Sequence, residues 1–297
     1  MKGGQFGAQL PPWSLAVAAM LSIQTGSALS VSLFPAVGPA GTAWLRLALG
    51  AVILVALVRP SVRVITRKNL PGLLGLGVTT GIMTAAFLLA LDRIALGTTV
   101  AIEFLGPLTV AALSGKNTRS ALWPGVALVG VVSLTRPWTG SVDLLGVGFA
   151  LIAALGWALY IVFTQQVGGQ FSGIQGLALA TPVAALTATA VGLPQAWGNI
   201  TPEVLVLAVL LAVLTPVFPF ALEMLALQRM NKRAFGTLMA VEPAIATVIG
   251  LVLLSQVPQV FDALGIALVV LAGIATQRDV LRPPLLDMPA VADPNGL

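Results

Sequence analysis

The sequence contains no cysteine and no histidine, and charged residues make up only 8% of its 297 positions. Without cysteine, the chain can form no disulfide, no thiol nucleophile and no thiolate metal site. Without histidine, a Ser-His-Asp hydrolase and an HExxH protease are both excluded. We therefore expect no catalytic residue, no bound metal and no cofactor.

The shortage of charge also indicates the class of the protein. A soluble globular domain carries roughly 25% charged residues, whereas this chain is 58% hydrophobic and has a mean hydropathy of +1.00. Glycine and proline, which are common in membrane helices, are frequent. The long, continuous apolar runs favour helices over alternating barrel strands. The sequence therefore predicts an all-α polytopic membrane protein, and its net charge of +5 is not read as a nucleic-acid signal.

Ten apolar segments, most of them near the roughly 20 residues that cross a bilayer, follow one another along the chain. Their approximate bounds are 14–34, 40–58, 71–91, 96–114, 121–136, 144–166, 173–192, 203–225, 235–254 and 260–277. The connections are short, so we expect no inserted soluble domain. Residues 1–12 are predicted to be a cytoplasmic leader, and residues 278–297 a disordered cytoplasmic tail.

The distribution of lysine and arginine predicts the orientation, because cytoplasmic loops of membrane proteins collect these residues. With the N-terminus inside, the outer loops hold only Arg93 and Arg136. The inner segments hold Lys2, Arg59, Arg63, Arg67, Lys68, Lys116, Arg119, Arg229, Lys232, Arg233, Arg278 and Arg282. Both termini are therefore predicted to be cytoplasmic.

Recurring sequence segments suggest that the chain is a duplication. The segment GTTVAIEFLGP at 97–107 shares Gly, Thr, Ala and Glu at equal spacing with GTLMAVEP at 236–243. Two weaker matches pair GSAL with GWAL and ALDR with ALQR, each at the equivalent place in a five-span order. We therefore predict two five-helix repeats, 13–137 and 138–277. Five is odd, so the repeats would be inverted, as in secondary transporters that bind substrate near the midplane.

Glu103 and Glu242 are the main candidate site residues, because a charge within an apolar span costs about 3 kcal/mol on insertion scales. They could bind a substrate amine or a proton. The alternative is a structural carboxylate at a broken helix, since Pro107 and Pro243 lie just beyond them. Arg46 either extends to the outer interface, or binds a substrate carboxylate or pairs with a glutamate.

Other polar and aromatic residues of the same spans are candidates for lining a cavity. They are Gln24, Thr25, Ser27, Trp157 and Tyr160, together with Thr98 and Thr237, which accompany the glutamates. Their alternative role is to hold helices together by hydrogen bonds. Glu223, near the inner end of its span, either extends to the interface or belongs to the site.

At these residues the chain resembles the EamA-type drug/metabolite transporters. The two glutamate segments carry the resemblance, as do SIQTGSALSVSLFPAVGPAGTAWLRLALGAVIL at 22–54 and ALEMLALQRM at 221–230. It covers nearly the whole chain except the two ends, and within the family it is most similar to the threonine and homoserine exporters. The resemblance implies a protein of the bacterial cytoplasmic (inner) membrane that exports small amino acids or related metabolites and is driven by the proton gradient.

The expected partners are a small-molecule substrate, the lipid bilayer and protons, with no nucleic acid. We expect a monomer that works by alternating access, with spans one to four and six to nine around a central cavity. Two alternatives stay open. An aromatic cavity around Phe104, Trp157 and Tyr160 would favour an exporter or facilitator of other metabolites or drugs. Paired carboxylates could instead serve an intramembrane enzyme as acid and base. Intramembrane aspartyl proteases need paired aspartates, however, and no predicted span carries an aspartate near its centre, so we expect that the chain is not an enzyme.

Overall fold

The computed structural model is all-helical across the residues it describes, which are 11–114, 122–136, 143–171, 174–229 and 232–280. The predicted leader up to residue 10 and the tail from residue 281 lie outside these ranges. The helices are α1 (Pro12–Ser30), α2 (Phe34–Val58), α3 (Leu70–Leu91), α4 (Leu96–Glu103), α5 (Leu105–Ser114), α6 (Leu122–Thr135), α7 (Leu144–Gly168), α8 (Gln175–Ala196), α9 (Pro202–Ala212), α10 (Phe218–Arg229), α11 (Lys232–Met239), α12 (Glu242–Leu254) and α13 (Val260–Val280).

Six apolar stretches, rather than the predicted ten, have the length and composition needed to cross a membrane within the described ranges. They are Pro12–Val58, Leu70–Leu91, Leu96–Ser114, Leu144–Gly168, Gln175–Ala196 and Phe235–Leu254. Three shorter apolar helices, Leu122–Thr135, Pro202–Val217 and Val260–Thr276, accompany them. The all-helical membrane class is therefore as predicted, while the described residues do not confirm the count of ten spans.

The first two predicted spans, 14–34 and 40–58, lie in one helical stretch, Pro12–Val58, in which a 3-10 turn joins α1 to α2 without a loop. The backbone changes direction at Gly38, which has φ 69° and ψ 166°, a conformation open only to glycine. Gln195 Oε1 accepts hydrogen bonds from the amides of Ala40 and Gly41 at 2.9 and 3.3 Å. This side chain therefore caps the helix that restarts after the kink.

The predicted fourth and ninth spans are both broken near their glutamates. α4 ends at Glu103 and α11 ends at Met239. Each of these residues lies four positions before a proline, Pro107 or Pro243, and proline has no N–H to donate to that carbonyl. The breaks therefore follow from the prolines. Glu103 is therefore the last residue of α4, and Glu242 is the first residue of α12.

A π-turn, Val213–Val217, joins α9 to α10. The Phe218 amide donates to the Val213 carbonyl, and Pro219 has no N–H, so the Leu214 carbonyl loses its helical donors. Ser22 Oγ on α1 donates to that carbonyl instead, at 2.7 Å. The irregular turn is thus satisfied by a neighbouring helix, as backbone at membrane depth must be.

The helices pack across the two halves of the chain. α2 packs on α8, α3 on α7 and α8, α1 on α10 and α12, α4 on α12, and α6 on α13. Gly26 allows α1 to approach Thr215, and Gly156 allows α7 to approach Met83. A side chain at either glycine would overlap its neighbour, so both close approaches depend on glycine.

The two ends of the bundle differ in charge. We call the end that carries the α2–α3 loop, residues 59–69, the basic end, because that loop holds four lysine and arginine residues. At the opposite end, Arg93 pairs with Asp143 at 2.9 Å and Arg136 pairs with Asp262 at 3.1 Å. These pairs are at least partly exposed, so each contributes little to stability.

Candidate functional site

A cavity of about 470 Å³ lies at the centre of the helices. This volume lies in the range of small-molecule sites, roughly 300–1,000 Å³. Its walls come from both halves of the chain, and among the described residues α6 and α13 contribute none. Its polar lining consists of Gln24, Ser27, Arg46, Thr80, Thr84, Glu103, Tyr160, Thr181, Thr215, Glu223 and Glu242.

Six of the eight predicted site residues line this cavity: Gln24, Arg46, Glu103, Trp157, Tyr160 and Glu242. Thr98 and Thr237 do not. Thr98 lies on a smaller pocket of about 250 Å³ with Thr247 and Asp262. It precedes Glu103 by five residues, which turns it roughly 140° away around the helix.

α1 and α12 meet through a buried hydrogen bond in which Gln24 Nε2 donates to Glu242 Oε1 at 2.9 Å. Glu242 is the first residue of α12, where free backbone amides and the helix dipole favour a negative charge. The remaining oxygens, Gln24 Oε1 and Glu242 Oε2, have no hydrogen-bond partner among the described residues. An unsatisfied buried polar group costs about 1–3 kcal/mol. Both atoms are therefore positions where a polar ligand would be stabilising.

Arg46 is buried within the bundle and does not extend to the outer interface. Its Nη1 donates to Ser30 Oγ at 3.1 Å, and Ser30 Oγ donates to the Gly26 carbonyl at 2.7 Å. Nε has no partner among the described residues. Nε belongs to a guanidinium edge that can bind a carboxylate through two parallel hydrogen bonds. This position agrees with two of the roles predicted from the sequence, binding a substrate carboxylate and pairing with a glutamate.

Glu103 lines the same cavity as Arg46 and Glu242. Its side chain is 8% exposed, and the charges of Arg46 and Glu242 both act on it. Two carboxylates beside one guanidinium leave a negative charge in excess when all three are ionised. A substrate ammonium or a proton would balance that charge.

Sequence reasoning misses four threonines of the cavity wall, Thr80, Thr84, Thr181 and Thr215. The hydroxyls of Thr80 and Thr181 donate to the carbonyls of Leu76 and Leu177, both at 2.7 Å. Their oxygens can still accept a hydrogen bond from a ligand. Threonines bonded to their own helix are ordinary in membrane helices, so no sequence signal separates these four from structural ones.

Aromatic rings form another part of the wall. Phe104 and Trp157 meet edge to face, with ring centroids 6.0 Å apart and planes at 76°. Phe87 and Tyr160 line the same cavity. The site therefore combines a charged group with an aromatic surface.

The lining of the cavity reaches towards the basic end, and a buried apolar cluster lies towards the opposite end. Leu54, Leu177 and Phe235 line it on the basic side. On the other side lies a buried apolar cluster that includes Leu88 and Leu96, both fully buried. A ligand in the cavity would thus be separated from the opposite end by packed side chains.

The EamA-like transporter family matches residues 144–276. The chain is 36% identical over 283 residues to the threonine/homoserine exporter RhtA of Salmonella typhimurium strain LT2, covering 93% of this chain and 95% of that protein. It is 36% identical over 281 residues to the exporter of the same name from Escherichia coli K12, with 92% and 95% covered. A crystal structure with 19% identity matches with a TM-score of 0.59 over 90% of this chain and 97% of the other, which shows the fold alone.

Proposed function

Because the chain belongs to the EamA-like transporter family, we propose that it exports small amino acids of the threonine and homoserine kind across the bacterial inner membrane. The family and these relatives are transporters and not enzymes, in agreement with the sequence prediction. The observation that carries the proposal is the cavity itself. It holds a guanidinium with an unpartnered nitrogen beside two buried carboxylates.

A small amino acid is a zwitterion and needs a partner for each charge. Arg46 binds the substrate carboxylate through Nε, and Ser30 holds the guanidinium in place. Glu242 Oε2 and Glu103 bind the ammonium, while Gln24 orients Glu242. The binding site thus uses Arg46 Nε and Glu242 Oε2, which lack a hydrogen-bond partner among the residues that the structure describes.

The hydroxyl that threonine and homoserine share has its own candidate partners. Thr80, Thr84 and Thr181 line the cavity with the charged group. The substrate hydroxyl can donate a hydrogen bond to a threonine oxygen of the cavity wall. An aliphatic amino acid of equal size cannot form this hydrogen bond. Sites built to bind a hydroxyl can reject analogues without it.

We propose ten membrane crossings in two inverted repeats, 13–137 and 138–277. The stretch Pro12–Val58 crosses twice, reversing at Gly38, and α9 with α10 forms one crossing. The packing partners support the inversion. α1 packs on α10 as α7 packs on α3, α2 with α8 and α6 with α13 each join equivalent helices of the two repeats, and α4 with α12 joins the equivalent fourth and ninth spans. The chain then acts as a monomer, since both repeats line one cavity.

We propose that the basic end faces the cytoplasm, with both termini on that side. The cavity then opens to the cytoplasm, as alternating access requires of an exporter before it takes up its substrate. A single cysteine can test this, because the chain contains none. We expect an impermeant maleimide added outside intact spheroplasts to label Asn199→Cys and not Ser61→Cys, both of which are exposed positions. The reverse pattern would contradict the orientation.

Export itself is tested in cells loaded with threonine- or homoserine-containing dipeptides. Expression of the wild type should lower the internal amino acid, and Glu103→Gln and Glu242→Gln should abolish this while reaching the membrane in equal amount. Glu203→Gln is the matched control, because Glu203 is exposed at the start of α9. If the wild type exports neither amino acid, the substrate assignment fails. If both cavity variants export normally, the glutamates are structural.

The aromatic wall favours a second candidate substrate, a flat apolar drug or metabolite. Phe104 and Trp157 form an edge-to-face pair on the cavity surface, and such rings bind flat ligands well. Resistance of expressing cells to planar aromatic compounds, without any change in internal threonine, would favour this candidate.

A further inference from the structure

Glu223 is a third carboxylate in the cavity that the proposed amino-acid site does not use. It lies on α10, lines the cavity and is half-buried. The two Glu residues of the binding site are 8% and 3% exposed, so Glu223 is the carboxylate nearer to water. A charge at this depth is costly and is a functional candidate by default.

Glu223 stands between Glu242 and the basic end. It lies six residues before the end of α10 at Arg229, which is exposed, and so about 9 Å along the axis from that end. It lines the same cavity as Glu242 and Tyr160. Glu223 is therefore a described carboxylate on the way of a proton that leaves Glu242 for water at the basic end.

Few other titratable groups face Glu223 from the surrounding helices. α1 carries none between Pro12 and Ser30, and the described side chains of α11, residues 235–239, include none. α7 contributes Tyr160 and α12 contributes Glu242. Among the described lining residues towards the basic end, Leu54 and Leu177 are apolar.

We propose that Glu223 relays the proton between Glu242 and the water at the basic end, an inference that rests on proton-driven amino-acid export by the proposed site. When the protein is in the inward-facing state, protonated Glu242 transfers its proton to the Glu223 carboxylate. Glu223 then releases the proton to the cytoplasm. Glu242 is left ionised and accepts the substrate ammonium. One proton moves in for each such cycle, and no other bond changes.

A proton relay affects gradient-driven accumulation and leaves threonine exchange intact, whereas loss of a substrate-binding residue would reduce both activities. Purified protein in liposomes can exchange radiolabelled threonine outside for unlabelled threonine inside at equal pH, which needs no net proton movement. The same liposomes can accumulate threonine against a pH gradient, which does. Glu223→Gln keeps the shape of the side chain and removes the titrating group, Glu223→Asp keeps the carboxylate, and Glu203→Gln is the surface control.

We expect Glu223→Gln to lower gradient-driven accumulation by about tenfold or more while exchange stays within about twofold of wild type. Glu223→Asp should restore much of the accumulation, and Glu203→Gln should change neither activity. Retained exchange also shows that the variant is folded.

Two results would overturn the relay while leaving amino-acid export intact. Glu223→Gln could accumulate threonine as the wild type does, or it could lose exchange and accumulation to the same degree. If the wild type exchanges threonine and shows no gradient-driven accumulation, proton coupling fails and the relay fails with it. Absence of both activities in the wild type would instead refute the proposed substrate.

Discussion

Arg46 offers a quantitative test of how the cavity recognises its substrate. The side chain is only 9% exposed, and Nε has no partner among the described residues. A hydrogen bond to a charged group contributes about 1.5–3 kcal/mol. Since 1.4 kcal/mol is a factor of ten in the dissociation constant, Arg46→Gln should weaken threonine binding by roughly 10- to 100-fold.

The assay compares the variant on two ligands. Threoninamide has the shape of threonine and lacks the negative charge that Arg46 binds. In equilibrium binding to purified protein, the wild type should bind threonine more tightly than threoninamide. The ratio of the two dissociation constants should be similar to the factor by which Arg46→Gln weakens threonine binding. The variant should bind both ligands about equally. Ser30→Ala keeps the guanidinium and removes the hydrogen bond that holds it. This substitution should reduce the free energy of threonine binding by about 1 kcal/mol.

The comparison can refute the reasoning directly. If Arg46→Gln weakens both ligands equally and the preference for threonine persists, Arg46 does not bind the carboxylate. Its effect would then be on the structure of the cavity. If threonine binding is unchanged, the unpartnered Nε has no role in recognition.

Two further predictions concern stability, measured by thermal unfolding in detergent. Gly38→Ala should destabilise the folded protein by about 1–3 kcal/mol, because φ 69° strains any side chain and a Cβ would overlap Gln195. The control Gly148→Ala should be near neutral, because there is open space around Gly148. Equal effects of the two substitutions would contradict the account of the kink. The Gly146 amide and then Arg93 hold the pKa of Asp143 below its ordinary value. Asp143 therefore contributes stability above a pH of about 4 that is lost as the pH falls through its lowered pKa, and Asp143→Asn should remove this loss. An unchanged pH dependence in that variant would contradict the role of the carboxylate.

The sequence predicts those features that depend on local chemistry. A carboxylate in an apolar span must face protein or a cavity, and Glu103 and Glu242 both line the central cavity. Pro107 and Pro243 predict a weakened helix, and each break lies four residues earlier, where proline withholds its N–H.

The features that the sequence does not predict depend on contacts between distant helices or on the direction of a side chain. The bond from Gln24 to Glu242 joins residues 218 positions apart. Thr98 is a candidate because it accompanies Glu103 in the repeat, but helical geometry turns it to another pocket. The kink at Gly38 lies in the predicted gap between the spans 14–34 and 40–58, but its cap by Gln195 joins residues about 155 positions apart and has no sequence signal.

The most direct test of the central claim is whether threonine protects the cavity from chemical labelling. Thr84→Cys places a single thiol on the cavity wall, and Ser61→Cys places one on the exposed α2–α3 loop. Saturating threonine should slow maleimide labelling of Thr84→Cys in transport-active liposomes and leave Ser61→Cys unaffected. If Thr84→Cys still transports threonine and is labelled at the same rate with and without it, the amino acid does not bind in this cavity.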